Sequence, residues 1–545
     1  MDDNLLQKTT SYFDSVNFNE LIELWLDDVF ENEFTDVEES NMSLGILFIN
    51  DPKETLLKIC SVCEKWIKKP NDYDLDETNT GNVSTRPVEV LWTYLNEMDI
   101  KVKQILGIIY FLCSRALKNN SSEEDKEIGL LSAKWYFCCL RVPGSSAYSV
   151  YKANLFRLCI DCFQISHMED LLPSMVSSID SLIPLLTVCH LGSDSTTVDY
   201  VIAKLCELVS SEQSSTSLNF DLDILSMSER ERRRRSFSFI LTSLAFQGLS
   251  ALISSDLNGE KDYIYSVILS NLNRHILCSK VKKSNIPSKF MCIKDNCVSY
   301  ICYNLKKDSE VCSRLTLTSL KRLCLSVSDK AEFRAAVSSA IVTMLYNLHV
   351  QDFVEFIQWL LLLVDAAEGN NRVFALEVMG LLLGEVPQVD KEGLPETLEI
   401  YLTPIPIIFA VLTRCDDVSP AVRTKALGVL SQHMEHMLKA LMDMDFSNFP
   451  EEEFDEGIET LDINGENRSF WYNFMSLKDI VDEMSNILHR RVEDNNGMSR
   501  KAALQALENI VSFDVAYLTN ENLKVRKCIF LNFLFTIMKS LTVYG

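Results

Sequence analysis

His433 and His436, one turn apart with Glu435 between them, have the chemistry to hold a metal. A two-histidine site on a helix normally uses i and i+4 with a third ligand elsewhere. The spacing here is i and i+3 and no third ligand is evident, so a packed or solvated helix face is the plainer reading. The pairs CSVC (Cys60, Cys63) and CIDC (Cys159, Cys162) each match the short half of a structural zinc site, which needs four ligands. Neither has a second pair near it in the sequence, and both sit in apolar helical stretches, which favours core thiols. The cysteine total of 17 is odd and scattered, as expected of reduced, buried thiols in a nuclear or cytosolic protein. No phosphate-cradling G-x-x-x-x-G-K-[ST] or G-x-G-x-x-G and no G-x-S-x-G occurs, which weighs against an ATPase or a hydrolase. An enzyme hidden in a helical scaffold would need converging His, Asp or Cys side chains, and the seven histidines are scattered. The expectation is a non-enzyme with no catalytic residues, metal, cofactor or small-molecule substrate.

Basic residues offer a second kind of chemistry. Residues 229–238, ERERRRRSFS, hold Arg232, Arg233, Arg234 and Arg235. They would suit phosphate contacts, a localisation signal, or a basophilic kinase acting on Ser236. Against this stands a solvated helix start balanced by Glu229 and Glu231. Arg490, Arg491, Arg500 and Lys501 gather at one turn and Arg423 and Lys425 at another. A nucleic-acid-facing stripe would use such residues along one edge. Structural Asp–Arg pairing would claim Arg423 and Arg500 but leave Lys425, Arg490 and Lys501 free. The net charge of −25 argues against a broad DNA-binding surface and fits protein partners.

The elements that must position these residues are helical. Gly (17) and Pro (13) are too scarce for a chain of many tight turns, hydrophobic content of 47% supplies a core, and no stretch alternates with period two. The chain is expected to be all-α: an N-terminal helical region over 1–209 with a polar loop at 69–87, and a Ser-rich linker over 210–228. Helical repeats follow over 229–442, then an acidic insertion over 443–467 with ten Asp or Glu and no Lys or Arg, then further repeats over 468–545. The insertion reads as a spacer, or as an acidic segment that competes for a basic partner or is regulated by its charge. The N-terminus lacks the pattern of a signal peptide, and the longest apolar run, Trp359 to Val364, is too short to span a bilayer.

One sentence in the sequence repeats. Residues 414–430 read RCDDVSPAVRTKALGVL and residues 491–507 read RVEDNNGMSRKAALQAL. These align Arg414 with Arg491, Asp417 with Asp494, Arg423 with Arg500 and Leu427 with Leu504. A third copy gives Asn520 and Arg526 at the same separation, and weaker copies surround Arg372 and Arg334. Ser419 suits an N-cap and Pro420 the first helical turn. An Asp before the helix and an Arg within it can pair in their own repeat or a neighbouring one, forming a ladder of Asp417, Arg423, Asp494 and Arg500. Self-similarity at roughly forty residues indicates an α-solenoid, and the pattern resembles the HEAT repeat.

Several blocks resemble one family more specifically, the D-type, non-SMC HEAT subunits of condensin II. The blocks are IELWLDDVFENEFTD, LWTYLNEMDI, YFCCLRVPGSSA, KAEFRAAVSSAIVTML, DFVEFIQWLLLLV, NNRVFALEVMGLLL, RCDDVSPAVRTKAL and ILHRRVEDNNGMSRKAALQAL, in order from about residue 17 to 510. The resemblance implies a HEAT-type solenoid acting as a non-catalytic scaffold in mitotic chromosome condensation, nuclear and chromosomal. Its implied partners are kleisin and SMC subunits and chromatin (DNA and histone tails, methylated tails among them), with no membrane. Chains of the family are much longer, and here Arg500 to Arg526 is too short a step for a helical hairpin, so an N-terminal portion or truncated form is expected. Another HEAT scaffold, such as a nuclear transport receptor or a phosphatase scaffold, shares the fold and the charge.

Overall fold

The computed structural model describes residues 3–517 except 22, 36–41, 69–89, 143–149, 166–168, 192–194, 210–236, 283–284, 308, 385–393 and 443–476. The Ser-rich linker, Arg232 to Ser236, the acidic insertion and the copy at Asn520 and Arg526 lie outside the described residues. Every described element is helical apart from one isolated bridge between Val16 and Phe48, and the protein is an all-α, HEAT-type solenoid. The helices fall into two compact units, Met1–His275 and Ile276–Gly545.

The first unit contains α1 (Asp3–Phe13), α2 (Glu23–Glu31), α3 (Leu44–Leu47), α4 (Pro52–Lys68), α5 (Val90–Glu97), α6 (Val102–Ala116) and α7 (Glu123–Arg141). It continues through α8 (Ala153–Asp161), α9 (Leu172–Val188), α10 (Ser195–Val209), α11 (Phe237–Ser254) and α12 (Lys261–Ile276). One layer runs α4, α7, α9, α11, each packed on the next, and a second runs α2, α6, α8, α10. The central helix α7 is buried nearly all round, with Trp135, Tyr136 and Phe137 fully enclosed. It starts on a capping box: Ser122 Oγ accepts from the Asp125 amide at 3.1 Å, and the Asp125 carboxylate accepts from the Ser122 amide at 3.2 Å. Phe137 meets Phe156 of α8 edge-on at 5.7 Å, an arrangement that favours the rings' quadrupoles.

The second unit contains α13 (Ser288–Lys307), α14 (Ser309–Ser326), α15 (Ala331–Leu345), α16 (Val350–Leu363), α17 (Gly369–Gly384), α18 (Ile405–Arg414), α19 (Pro420–Met442), α20 (Leu477–Val492) and α21 (Gly497–Tyr517). Helices α13, α15, α17, α19 and α21 stack in order as one layer, and α14, α16 and α18 as the other. This is the nearest-neighbour packing of a solenoid. The helix of the repeat motif, α19, begins at Pro420, where a missing N–H is harmless, and the Ser419 carbonyl accepts from the Arg423 amide at 3.0 Å. Val422, Ala426, Leu427 and Leu430 are fully buried on its inner face.

Candidate functional site: the inter-repeat ladder

The repeat motif positions its charges at the turn between the two helices of a repeat. Asp417 and Asp494 each fold back on their own turn, one carboxylate oxygen accepting from the amide two residues on, Ser419 and Asn496, at 2.8 Å in both cases. Such an Asx turn fixes the carboxylate before any partner arrives. The arginine six residues later is fixed in the same way. Arg423 Nη1 donates to the carbonyls of Asp417 (2.9 Å) and Val418 (3.1 Å), and Arg500 Nη1 to those of Asp494 (2.7 Å) and Asn495 (3.2 Å). Arg372 does the same with Ala366 and Ala367, both at 2.8 Å.

With Nη1 spent on the backbone, the Nε and Nη2 edge points to the next repeat. Arg372 grips Asp417 with two bonds of 3.0 Å, and Arg423 grips Asp494 with bonds of 2.8 and 3.0 Å. The Asp417 and Asp494 side chains are 3% and 1% exposed. A carboxylate that dry needs its full set of donors, and loss of one partner of a buried pair costs about 3–5 kcal/mol. The Arg423 hydrogen bonds, against the opposing effect of burial, hold the Asp494 carboxyl well below the ordinary carboxylate range.

A second pair of arginines completes each rung. Arg414 reaches back to Asp365 (2.8 Å) and sideways to Asp417 (3.4 Å), while Arg491 reaches back to Asp416 (3.0 Å) and sideways to Asp494 (2.7 Å). Each complete rung therefore holds two arginines and two aspartates, one of each from either repeat. Asp365 and Asp416 stand at the same distance before Arg372 and Arg423. Sequence alignment places Arg414 opposite Arg491 but gives neither a task; the recurring acid seven residues before each ladder arginine was the available signal.

The ladder changes upstream. Ala366 occupies the position of Asp417, so Arg334 has no aspartate to grip and pairs with Glu377 of α17 at 3.2 Å. Lys425 joins the same carboxylate at 3.4 Å, and Arg490 donates to Asp416 at 2.5 Å and Glu483 at 3.3 Å. Two of the residues that Asp–Arg pairing was expected to leave free are thus held by carboxylates within the chain. Lys501 is exposed on the first turn of α21.

The metal candidates resolve differently. His433 packs against Gly384, and burial, with His436 beside it, keeps its imidazole below the usual value. The cysteine pairs do meet other cysteines, contrary to their isolation in the sequence. Cys63 hydrogen-bonds Cys139, and Cys113 Sγ lies 3.8 Å from Cys159 Sγ. Among the described residues no group of three or more His, Cys, Asp or Glu side chains is arranged to hold a metal ion, and no described helix is long and apolar enough to cross a membrane.

Known proteins match this chain as follows. Residues 25–172 match the family described as Condensin-2 complex subunit D3-like, N-terminal domain. Condensin-2 complex subunit D3-L of Xenopus laevis is 35% identical over 118 residues, 21% of this chain and 8% of that protein. Condensin-2 complex subunit D3 of Mus musculus is 21% identical over 567 residues, covering 89% of this chain and 36% of that protein. The chain thus spans about a third of the mouse relative's length. Among solved structures, one of the Pds5-Scc1 complex covers 100% of this chain and 72% of that one at 12% identity, with a TM-score of 0.30, too low to add to the fold already described. Residues 25–172 thus carry a domain of the condensin-2 subunit D3-like N-terminal family, and 89% of the chain aligns with the mouse subunit D3 at 21% identity.

Proposed function

We propose that the chain is a non-catalytic scaffold of a condensin II-type complex in the nucleus, binding kleisin and SMC subunits and holding chromatin during mitotic condensation. The match of residues 25–172 to the D3-like N-terminal domain carries this reading. The second unit supports it physically. Rungs of paired charge lock successive repeats in register, which gives a stiff stack with long side faces suited to an extended partner segment. ATP hydrolysis belongs to partner chains.

Chromatin contact would fall on residues outside the ladder. Lys501 is the best placed of the described candidates. A phosphate reaching Arg490 or Lys425 would have to displace Asp416 and Glu483, or Glu377. Arg232 to Arg235 remain candidates from sequence.

Affinity capture of the tagged chain from mitotic nuclear extract tests the reading. Recovery of SMC and kleisin chains is the expected result. Recovery of a Ran-type GTPase or a phosphatase catalytic subunit in their place would overturn it, as would ATPase activity in the purified chain.

A further inference from the structure

We propose that Cys113, Cys159 and Cys162 form a dithiol–disulfide site that a small-molecule disulfide oxidises, stapling α6 to the end of α8 through Cys113. The inference goes beyond the scaffold reading and does not depend on it.

Two elements bring the three sulfurs together. Cys113 lies in the last turn of α6 and Cys159 in the last turn of α8, and Cys162 opens the 3-10 turn Cys162–Ile165 that follows at once. A separation of three places Cys159 and Cys162 on one face. All three are unbonded thiols and fully buried. Cys113 Sγ lies 3.8 Å from Cys159 Sγ, within hydrogen-bond range for sulfur, and Cys113 and Cys162 are hydrogen-bonded as well. Helix α7 closes the third side. Cys113 Sγ is 3.7 Å from the Gly129 carbonyl, and a Cβ on Gly129 would stand 3.7 Å from Cys162 Sγ. Cys113 thus has two thiol neighbours, both on the element that packs against α6 beside α7.

The step balances with a disulfide, RSSR, as the oxidant. One thiolate of the site attacks a sulfur of RSSR, the S–S bond of RSSR breaks, and one RS thiolate leaves with the electron pair. The second thiol of the site gives up its proton and attacks the mixed disulfide. The new Sγ–Sγ bond forms and the second RS thiolate leaves. Two thiols of the chain are oxidised and one RSSR is reduced to two RSH, which take up the two protons. A Cys113–Cys159 bond leaves Cys162 reduced and beside Cys113. Attack of Cys162 on the Cys113 sulfur moves the bond to Cys113–Cys162 and returns Cys159 as a thiol. Either bond closes a loop around the whole of α7, a cross-link long enough to restrict the unfolded chain.

Burial sets when the site reacts. Burial raises the Cys159 thiol, and the thiol–thiol contacts together with burial raise those of Cys113 and Cys162. The nucleophilic thiolate is therefore scarce while the helices are closed, and oxidation waits for α8 to lift from α6. Reclosure then buries the bond away from reductants. Helices α6 and α8 are successive members of one layer inside residues 25–172, so oxidation fixes the spacing of that layer in the D3-like domain.

The test incubates the full-length chain with glutathione disulfide at the lowest urea concentration at which N-ethylmaleimide labels Cys113. The chain is then alkylated and digested without reduction. Tandem mass spectrometry should find the Cys113 peptide joined to the peptide holding Cys159 and Cys162, with both bonds represented. The urea midpoint of the oxidised chain should rise, and dithiothreitol should reverse the rise. Cys113→Ala should remove the part of the rise that follows its linkage, whereas Cys159→Ala and Cys162→Ala should each keep it through the remaining partner. Cys113 joined only to glutathione, or to cysteines outside the three, would overturn the proposal. So would a rise that Cys113→Ala leaves intact or that Cys162→Ala abolishes. The peptide map of the unsubstituted chain decides the pairing whether or not the variants fold.

Discussion

Arg372 and Asp417 stand 45 residues apart in sequence and meet through two parallel 3.0 Å hydrogen bonds in a nearly dry site between α17 and the turn before α19. Arg423 and Asp494 reproduce the arrangement at a separation of 71. The geometry is unchanged although residues 443–476 intervene in one case and not in the other, so the rung and not the spacing sets the register of the stack.

Removing one partner should therefore cost more than removing both. Arg423→Met or Asp494→Leu alone leaves a buried charge without its counter-charge, at about 3–5 kcal/mol. The double variant Arg423→Met/Asp494→Leu buries no orphan from that pair and should lose less than either single change. Arg423→Lys should not rescue, because a point-like ammonium cannot serve two carbonyls and both carboxylate oxygens at once. Urea titrations followed by helical circular dichroism would settle the order, and a double variant worse than both singles would refute it.

Acid should weaken the second unit through the same pair. The Arg423 bonds hold the Asp494 carboxyl below its ordinary value in the folded chain, whereas in the unfolded chain it titrates near ~3.9. A depressed folded value means the contribution is complete above the unfolded value and disappears as pH falls towards the folded one. The wild-type midpoint should fall steeply below about pH 4, and Asp494→Asn should be less stable at pH 7 with a shallower acid limb. Equal acid slopes in the two chains would show that Asp494 contributes nothing to the pH dependence.

How much of this the sequence shows depends on how the chemistry is written. Asp417, Arg423, Asp494 and Arg500 are visible because a motif with two charges at fixed separation can be aligned. The partners of Lys425 and Arg490 are not visible, since Glu377 and Asp416 belong to other repeats. The first unit shows no repeat in sequence, yet α6 packs on α7 and α10 on α11 within two stacked layers. Its helices are held by apolar shape, as where Phe137 meets Phe156 and Phe163. Many sequences satisfy such packing, so no periodic letter survives to mark it. The cysteine clusters were hidden for the same reason: Cys63 and Cys139 share a face only after α4 and α7 have packed.

That packing is close enough for one atom to matter. A Cβ on Gly129 of α7 would lie 2.3 Å from the Ala116 Cβ at the end of α6. Both atoms are fixed to backbone, so Gly129→Ala must push the helices apart, at about 1–3 kcal/mol. The compensating change Ala116→Gly should recover much of the loss, less the entropic cost of a helical glycine, and thermal melts of the single and double variants measure it. A fully tolerated Gly129→Ala would mean that α6 and α7 do not approach this closely.

The buried thiols of the first unit should be chemically silent until it opens. The thiolate is the reactive form. Burial raises the Cys60 and Cys159 values, and the Cys139 contact together with burial raises that of Cys63. Cys138 is pushed up to about 12, mainly by burial. Near neutral pH almost none of these groups is ionised, and none is open to a reagent. Among the described cysteines of the native chain, an aromatic disulfide reagent should first modify the partly exposed Cys292, Cys302 and Cys189. Cys60, Cys63, Cys113, Cys138, Cys159 and Cys162 should react only at the rate at which the unit unfolds. Peptide mapping after a labelling time course separates the two groups, and prompt labelling of Cys113 would show that α6 and α8 part far more readily than their packing implies.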